Sequence, residues 1–467
     1  NSVQDATQNT VGHYLAKPIR PLYYLVLMAW MNLGNSDAWL RSLSAIFSVI
    51  SVFLLYRIGR RLAGEREGLI AALLLAISPL IVHHAQEIRM YALSLCLGLA
   101  GTTFLVDALL VERGQKPSQK TMAGWMIFRL LGIYTVPLNI LILLPDVIAI
   151  ALRFRQQRAV LVSFAKWLGL MLLLWSPAVL SVGQASSPNS DYANDHSGAT
   201  PPGFAEVFRL FKFFTVWPFS VQESAPVALF YKVFTLFVAG LMGAGIIRKH
   251  RSPKLLWVLA WCVLPVIPIL CFSHWVMPIW KTRYVLFVSP YFFILLAAGF
   301  TRLWKEWRIA AVTMAVAYAI TVSGGLFHYY TVQERPDYKF NVATLEQHER
   351  LGDGMVWSYE CCESGLRRYY DGPMDVYKNS VNDIESTDDI PQWLSNFPTG
   401  YDRLWLVLDG AAKDKAVIEA AIADSYQIEM NVDYEQGSKV MLLTPLEGDS
   451  QQASVSSPQA ITTSEQL

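Results

Sequence analysis

The amino-acid sequence predicts a mainly helical, polytopic membrane bundle followed by a C-terminal α/β domain outside the cytoplasm. Of its 467 residues, 53% are hydrophobic and only 16% are charged, whereas soluble domains carry about 25% charged residues. The mean hydropathy is +0.32. Apolar stretches long enough to cross a bilayer fill the region 1–326, and the composition turns polar after Phe327. These three observations together indicate a membrane protein.

Apolar runs of about 17 to 25 residues predict roughly ten membrane spans. We place them near 41–57, 67–83, 89–111, 122–136, 138–153, 159–181, 226–246, 254–272, 284–301 and 308–326. An earlier apolar piece at 21–33 is too short to span. Its Trp30 and two tyrosines are typical of the headgroup region, so we expect an interfacial helix there.

The loops between these spans divide by charge. Five alternate loops together carry 17 Lys and Arg: 57–66, 112–120, 153–158, 248–254 and 302–308. The other loops, around 84–88, 182–225 and 273–283, carry few. Because positive loops stay in the cytoplasm, the first set is predicted to be cytoplasmic and both chain ends to lie outside.

The region 327–446 has the pattern of an α/β domain. Short β-like runs lie at 404–408 and 440–444, with a helical stretch between them at 413–426. By the loop charges, this domain lies outside the cytoplasm. The tail at 447–467 is polar without a core-forming pattern and is predicted to be disordered.

Composition excludes several classes of function. Basic and acidic residues nearly cancel, 38 against 37, which argues against a nucleic-acid partner. Five cysteines do not make a disulfide scaffold, and no Cys/His group has zinc-site spacing. The sequence has no Gly-rich phosphate loop, which argues against a nucleotide as direct substrate.

The first candidate functional segment is KPIRPLYY, at 17–24. Lys17 and Arg20 at headgroup depth are suited to holding a lipid phosphate, and Tyr23 accompanies them in a segment stiffened by proline. The alternative is a juxtamembrane anchor of the kind that many membrane helices carry.

The second candidate is the short outer turn at 78–93, which holds His83, His84, Glu87, Arg89 and Tyr91. Ionisable groups beside membrane segments are costly unless paired or solvated, so such a cluster predicts a polar cavity. Two residues apart, Glu87 and Arg89 do not share a helix face, so we expect each to find a different partner. The alternative is a solvated loop with a capping glutamate.

The third candidate is the segment 274–287, with Lys281, Arg283 and Tyr284. Its two cations lie on the outer side, where the charge rule disfavours them, and local exceptions often mark functional sites. The alternative is a pair of snorkelling side chains.

Four charged residues fall inside predicted spans: Asp107, Arg129, Asp146 and Lys166. We expect them to form an internal ion-paired patch that fixes helix packing, without a catalytic role.

Two further segments are distinctive. The long outer loop at 182–225 alternates aromatic residues with Arg209 and Lys212, a pattern that fits either a flap over a membrane-facing cavity or a disordered loop. The neighbouring Cys361 and Cys362 would close a strained ring, so we expect them to be structural or unpaired.

Taken together, the motifs resemble the polytopic GT-C glycosyltransferases, the broad group that includes protein O-mannosyltransferases and lipid A aminoarabinose transferases. IRPLYY resembles the family's HPPLYY element, and QEIRMY its Q-E-x-R-M-Y element, the most specific of the set. LGIYTVPLNIL resembles an L-x-Y-T-H segment, TRYVLFVSP the R-Y-x-x-x-x-x-P segment, and QERPDYKF the entry to the outer soluble domain. The resemblance covers nearly the whole chain.

The chain departs from the family pattern at three places. Ile19 and Arg20 replace a His or Lys followed by Pro, and Val136 replaces a histidine. The family has an acidic pair in its first outer loop, where this chain offers only Asp5. We therefore expect the sequence, which begins with Asn1, to lack a first span and its principal catalytic acid.

The resemblance implies an inverting sugar transferase, of hexosyl or pentosyl type, in the plasma (inner) membrane. Its donor is a sugar on a polyprenyl phosphate, and its acceptor is a hydroxyl of a glycan, lipid or protein. Glu87 and Asp5 are the expected catalytic acids, and the binding residues are the cations, histidines and tyrosines named above. The resemblance implies no cofactor for the whole family, and a divalent metal in only some of its branches. The alternatives are a lipid or solute transporter or flippase, or an inactive relative that binds the lipid-linked sugar.

Overall fold

The computed structural model describes residues 21–112, 114–185, 202–215, 225–247, 254–276, 279–332, 338–359, 366, 368–384, 386–408, 415–434 and 438–446. The chain divides into two compact units, with the boundary between His328 and Tyr329. The first unit is helical and apolar, and the second contains a β-sheet. The predicted succession of a helical unit and a C-terminal α/β unit is therefore confirmed.

The helices of the first unit follow one another closely along the chain. They are α1 (Pro21–Met31), α2 (Asp37–Leu62), α3 (Glu65–Ile77), α4 (Pro79–Ala85), α5 (Tyr91–Leu109), α6 (Gln119–Thr135), α7 (Leu143–Arg153), α8 (Arg158–Ala185), α9 (Phe204–Thr215), α10 (Ala225–Ile247), α11 (Lys254–Val263), α12 (Val266–Trp275), α13 (Ser289–Glu306) and α14 (Arg308–Thr331). Two 3₁₀ segments, Pro137–Ile142 and Thr282–Val288, precede α7 and α13.

Fewer helices than the ten predicted spans are long and apolar enough to cross a membrane. Within the described residues there are six, or seven if the bent pair α3 and α4 counts as one span. The predicted spans at 122–136 and 138–153 account for part of the difference, because α6 has 17 residues and α7 has 11. The short helix predicted at 21–33 is present as α1, with 11 residues.

The ends of α2 show how the sequence fixes a span. Ser36 caps its N-terminus by accepting a hydrogen bond from the Trp39 main-chain nitrogen, 3.3 Å away. Asp37 lies in the first turn, and Arg60 and Arg61 in the last. These charges complement the helix dipole, so the residues that flank the apolar run stabilise both ends of α2.

Two glycines allow α2 and α3 to pack in direct backbone contact. A β-carbon on Gly68 would lie 2.6 Å from the Arg60 nitrogen and 2.8 Å from the Tyr56 oxygen. One on Gly59 would lie 2.8 Å from the α-carbon of Gly68. Real β-carbons do not approach backbone so closely, so these positions require glycine for the helix pair to close.

The bend between α3 and α4 turns the chain at the edge of the functional site. The two helices differ in direction by 60°. Ser78 joins them in an extended conformation, with φ −62° and ψ 122°. Pro79 imposes this conformation because its ring clashes with a helical residue before it. The chain therefore leaves the span axis just before the histidines.

Two of the four charged residues expected to form an internal patch, Arg129 and Asp146, are paired inside the bundle. Arg129 donates to Asp146 through Nε at 2.8 Å and Nη2 at 3.1 Å. The indole nitrogens of Trp125 and Trp261 also donate to Asp146, each at 2.8 Å, and Arg129 donates to Thr102 at 2.9 Å. Asp146 is completely buried. This one carboxylate therefore ties together α6, α7 and α11, and Arg129 adds α5.

The other two intramembrane charges behave differently from each other. Asp107 forms ion pairs with Arg57 and Arg61 and so links α5 to α2. Lys166 is exposed on the surface of α8. The expectation that Lys166 joins the internal patch is wrong, because its side chain points away from the bundle core.

The second unit is a mixed five-stranded sheet with helices on both faces. Its strands are β1 (Gly354–Trp357), β2 (Asp375–Lys378), β3 (Leu404–Leu408), β4 (Tyr426–Asp433) and β5 (Lys439–Pro445), and its helices are α15 (Tyr338–His348), α16 (Ile390–Ser395) and α17 (Lys415–Ser425). The strand order is β2-β1-β3-β5-β4, with the first three parallel and β5 antiparallel to both its neighbours.

Each face of this sheet buries its own hydrophobic core. Leu345 of α15 packs with Trp357 and Trp405 on one face. Trp393 of α16 and Ile422 of α17 pack on the other. The strands predicted at 404–408 and 440–444 and the helix predicted at 413–426 are present as β3, β5 and α17. Strands β1, β2 and β4 were not predicted.

Candidate active site

The candidate site lies at the bend between α4 and α5, where His83 and His84 end one helix and Glu87 follows it. His84 Nδ1 lies 2.7 Å from Glu87 Oε2, and His83 Nε2 lies 3.8 Å from Glu87 Oε1. The side chains of His84 and Glu87 are 5% and 15% exposed. Both imidazoles thus lie against one largely buried carboxylate, at the positions the sequence singled out.

Helix α2 holds this bend through Ser44. The Ser44 hydroxyl donates to the main-chain oxygen of Glu87 at 2.6 Å, and Ser44 is 1% exposed. This contact fixes the backbone that carries Glu87. Sequence reasoning assigned Ser44 no function.

Tyr23 of α1 brings a third chain segment to the site. It is 1% exposed and lies within electrostatic range of Arg89 and Glu87, close to Ser44. Burial raises the pKa of Tyr23 above its ordinary value, so at neutral pH it presents a hydroxyl, a hydrogen-bond donor, rather than a phenolate.

Tyr91 connects the bend to a fourth chain segment, the 3₁₀ segment Thr282–Val288, which comes much later in the sequence. Its ring centre is 4.7 Å from that of His84. The charges of Arg283, Glu87 and Arg89 act on its hydroxyl, and Tyr284 lies nearby. Tyr91 and Arg283, almost two hundred positions apart in the chain, therefore lie in one site. This site combines the second and third candidate segments.

The 3₁₀ segment presents Arg283 to this site. Ser273 of α12 accepts hydrogen bonds from the main-chain nitrogens of Ile279, at 3.0 Å, and Trp280, at 2.9 Å. The guanidinium carbon of Arg283 lies 5.7 Å from the ring centre of Tyr284. Arg283 is exposed, as is Arg89, so two cations remain accessible to an anionic ligand beside the buried carboxylate.

The remaining predicted site residues are not placed against Glu87. Lys281 is half-buried at the N-cap of the 3₁₀ segment, two residues before Arg283. Asp5, Lys17 and Arg20 lie outside the described residues, as does the cysteine pair at 361–362.

A family model described as dolichyl-phosphate-mannose-protein mannosyltransferase matches residues 16–181. This range contains the first two candidate segments and ends within α8. None of the curated proteins compared with the chain matches it significantly.

Solved structures match far more of the chain. A crystal structure of ArnT from Cupriavidus metallidurans bound to undecaprenyl phosphate is 15% identical, with a TM-score of 0.55, over 94% of this chain and 91% of that one. The apo form of the same protein is 14% identical, with a TM-score of 0.53 and the same coverage. The archaeal oligosaccharyltransferase AglB from Archaeoglobus fulgidus, in complex with an inhibitory peptide and a dolichol phosphate, is 10% identical, with a TM-score of 0.50, over 91% of this chain and 66% of that one.

The chain has the GT-C fold. The resemblance seen in the sequence motifs is thereby confirmed at the level of the fold. The matched family model and the apolar helices described above together support a multi-pass membrane protein.

Part of the long outer loop predicted at 182–225 is an ordered element of this GT-C unit. Residues 204–215 form α9, which packs against α4 and α10. Leu210 and Phe213 of α9 are buried, and the ring centre of Phe214 lies 5.5 Å from that of Phe292. Residues 204–215 of this loop are therefore a helix beside the histidine-bearing α4, and a role as a flap stays a prediction. Residues 186–201 and 216–224 lie outside the described residues.

Proposed function

We propose that the chain transfers a sugar from a polyprenyl phosphate to an acceptor hydroxyl at the outer face of the membrane. One observation carries the proposal: a largely buried carboxylate, Glu87, lies near two exposed arginines, Arg89 and Arg283, at the bend between α4 and α5. A carboxylate is suited to accept the acceptor's proton, and cations are suited to the leaving phosphate.

The cations stabilise charge that develops as the bond to phosphate breaks. The leaving lipid phosphate gains negative charge, which Arg89 and Arg283 neutralise through charge-assisted hydrogen bonds. We expect Lys17, Arg20 and Lys281 to add to this binding region. Tyr23, Tyr91 and Tyr284 supply hydroxyl groups that bind the phosphate or the sugar. Because phosphate is a good leaving group, the reaction needs little help from a general acid.

The Glu87 carboxylate acts on the acceptor, on the side of the sugar opposite the leaving phosphate. Glu87 accepts the proton of the acceptor hydroxyl while that oxygen bonds to the anomeric carbon, and the bond from this carbon to the phosphate oxygen breaks. This single in-line displacement inverts the anomeric configuration. His83, His84 and Ser44 hold Glu87 in position. Asp5 is proposed to share the role of base.

The test is sugar transfer by the full chain in liposomes, with radiolabelled polyprenyl-phosphate hexoses and pentoses as donors and a membrane glycolipid extract as acceptor. We expect Glu87→Gln to lower the transfer rate by about 100-fold or more, because general-base catalysis contributes about 10²–10⁴-fold. Glu306→Gln is the matched control. Glu306 is an exposed acid on α13 that pairs with Arg302, and its loss is expected to leave transfer unchanged.

The same liposomes separate the alternatives. Full transfer by Glu87→Gln removes Glu87 from the mechanism. Movement of intact donor between the leaflets, without cleavage of the glycosidic bond, would instead indicate a flippase. Donor binding without either activity would indicate an inactive relative.

A further inference from the structure

His83, His84 and Glu87 bring three metal-binding side chains together at the end of α4. One ring nitrogen of each histidine and one carboxylate oxygen lie within 4.8 Å of one another. We propose that these three residues bind a divalent transition-metal ion of the Zn²⁺ type. Only one oxygen of Glu87 serves as a ligand, which leaves the other to accept a proton in the proposed transfer reaction. Metal uptake is measured without donor or acceptor, so its failure is distinguishable from failure of the transfer reaction.

The spacing of the donor atoms is close to the spacing of ligands around one metal ion. His84 Nδ1 is 2.7 Å from Glu87 Oε2, which a hydrogen bond explains. His83 Nε2 is 3.8 Å from Glu87 Oε1, beyond hydrogen-bond reach. Ligands about 2.0–2.2 Å from a tetrahedral Zn²⁺ are roughly 3.3–3.6 Å apart. These two distances end on different oxygens of Glu87, but one nitrogen of each histidine and a single oxygen lie within 4.8 Å of one another. Small side-chain rotations would therefore bring these three atoms to the separation of ligands on one ion.

The local backbone explains why these residues converge. His83 and His84 occupy the last turn of α4, which ends at Ala85. Gln86 then leaves the helix with φ −102° and ψ 0°, and the chain turns so that Glu87 lies under both rings. Ser44 holds the Glu87 carbonyl in place. The donors are therefore positioned by the backbone before any ion binds.

The donor types select the class of metal. Two imidazole nitrogens and one carboxylate suit Zn²⁺ and neighbouring transition ions, whereas Ca²⁺ and Mg²⁺ prefer oxygen ligands throughout. Three protein ligands also leave one tetrahedral position open, as in catalytic zinc sites and unlike closed structural ones. The half-buried position of Glu87, beside Tyr91 and the arginines, gives that open position access to water or an anionic oxygen.

The test is direct measurement of metal on the full chain, purified in detergent through a tag that contains no histidine. After treatment with a chelator, we expect the protein to take up about one Zn²⁺ per chain. Co²⁺ in place of Zn²⁺ should give the visible absorption of a four-coordinate site with nitrogen and oxygen ligands. Neither readout requires the sugar donor or the acceptor.

His83→Ala is expected to weaken Zn²⁺ binding by about 100-fold or more, since loss even of an outer-shell partner costs 10–100-fold. His84→Gln is the second ligand variant. Because glutamine nearly fills the space of the buried ring, weaker Zn²⁺ binding in this variant would reflect the lost ligand and not a packing defect. The matched control is His274→Ala, an exposed histidine at the end of α12, with binding unchanged. Absence of stoichiometric Zn²⁺ in the folded protein, or equal affinity in His83→Ala, would overturn the proposal.

Discussion

Glu87 is the residue on which the contacts of the site converge. Its carboxylate faces two histidines, and its main-chain oxygen accepts from Ser44. By contrast, Arg89 lies at the surface near Tyr23 and Tyr91. The expectation that Glu87 and Arg89 find different partners stays a prediction, because the charges of both residues act on Tyr23 and Tyr91. A carboxylate that is held while the neighbouring cation remains accessible is suited to separate roles on the acceptor and on the phosphate.

Arg283 provides the residue-scale prediction. We expect Arg283→Ala to raise the KM for the lipid-phosphate donor by about 10-fold or more, because a charge-assisted hydrogen bond to phosphate contributes about 1.5–3 kcal/mol. The control is Arg308→Ala, which removes an exposed cation at the start of α14. The measurement is initial rate against donor concentration. An unchanged KM would exclude Arg283 from donor binding.

At the scale of elements, the bundle combines backbone contact with one buried ion pair. Gly59 and Gly68 let α2 and α3 close together, while Asp146 receives donors from three residues on two other helices. Apolar side chains gain little from leaving lipid for the bundle interior. Specific polar contacts and small residues therefore decide which helices meet.

Asp146→Asn tests this arrangement. The amide is close in shape to the carboxylate but leaves the buried Arg129 without its counter-charge. Breaking a buried ion pair costs about 3–5 kcal/mol, so we expect a large loss of thermal stability in detergent. Glu306→Gln is again the control, since it breaks an exposed pair worth about 0–1 kcal/mol. Equal melting temperatures for the two variants would show that the Arg129–Asp146 pair does not hold the helices together.

At the scale of the whole molecule, the distribution of charge predicts how the chain is oriented in the membrane. Seventeen Lys and Arg lie in alternate loops that the charge rule assigns to the cytoplasm. This assignment predicts that the bend at 86–90 and the C-terminal α/β unit face the other side. The site would then receive a donor and an acceptor outside the cytoplasm.

Reporter fusions check this orientation. Alkaline phosphatase, which needs disulfides and is active only outside the cytoplasm, should be active when fused after residue 446. The same reporter inserted in the loop at 302–308 should be inactive. The reverse pattern would place the C-terminal unit and the site in the cytoplasm and contradict the proposed outer-face reaction.

The sequence by itself determined the features that depend on neighbouring residues. The length and apolarity of a run predict a membrane helix because the bilayer has a fixed thickness. Likewise, strand β3 and helix α17 were predicted because each carries its own periodic pattern. Short strands such as β1, with four residues, were missed because so short a pattern specifies little without its sheet partners.

Only the tertiary structure decided which distant residues meet. It brought Arg283 to Tyr91 and paired Arg129 with Asp146. It also turned two adjacent histidines toward one carboxylate, although the sequence shows no zinc-site spacing there. These contacts depend on the bend at Ser78 and on how the helices pack, and neither is encoded in any single stretch of chain. Local patterns therefore identified the candidate residues, and packing decided how they are combined.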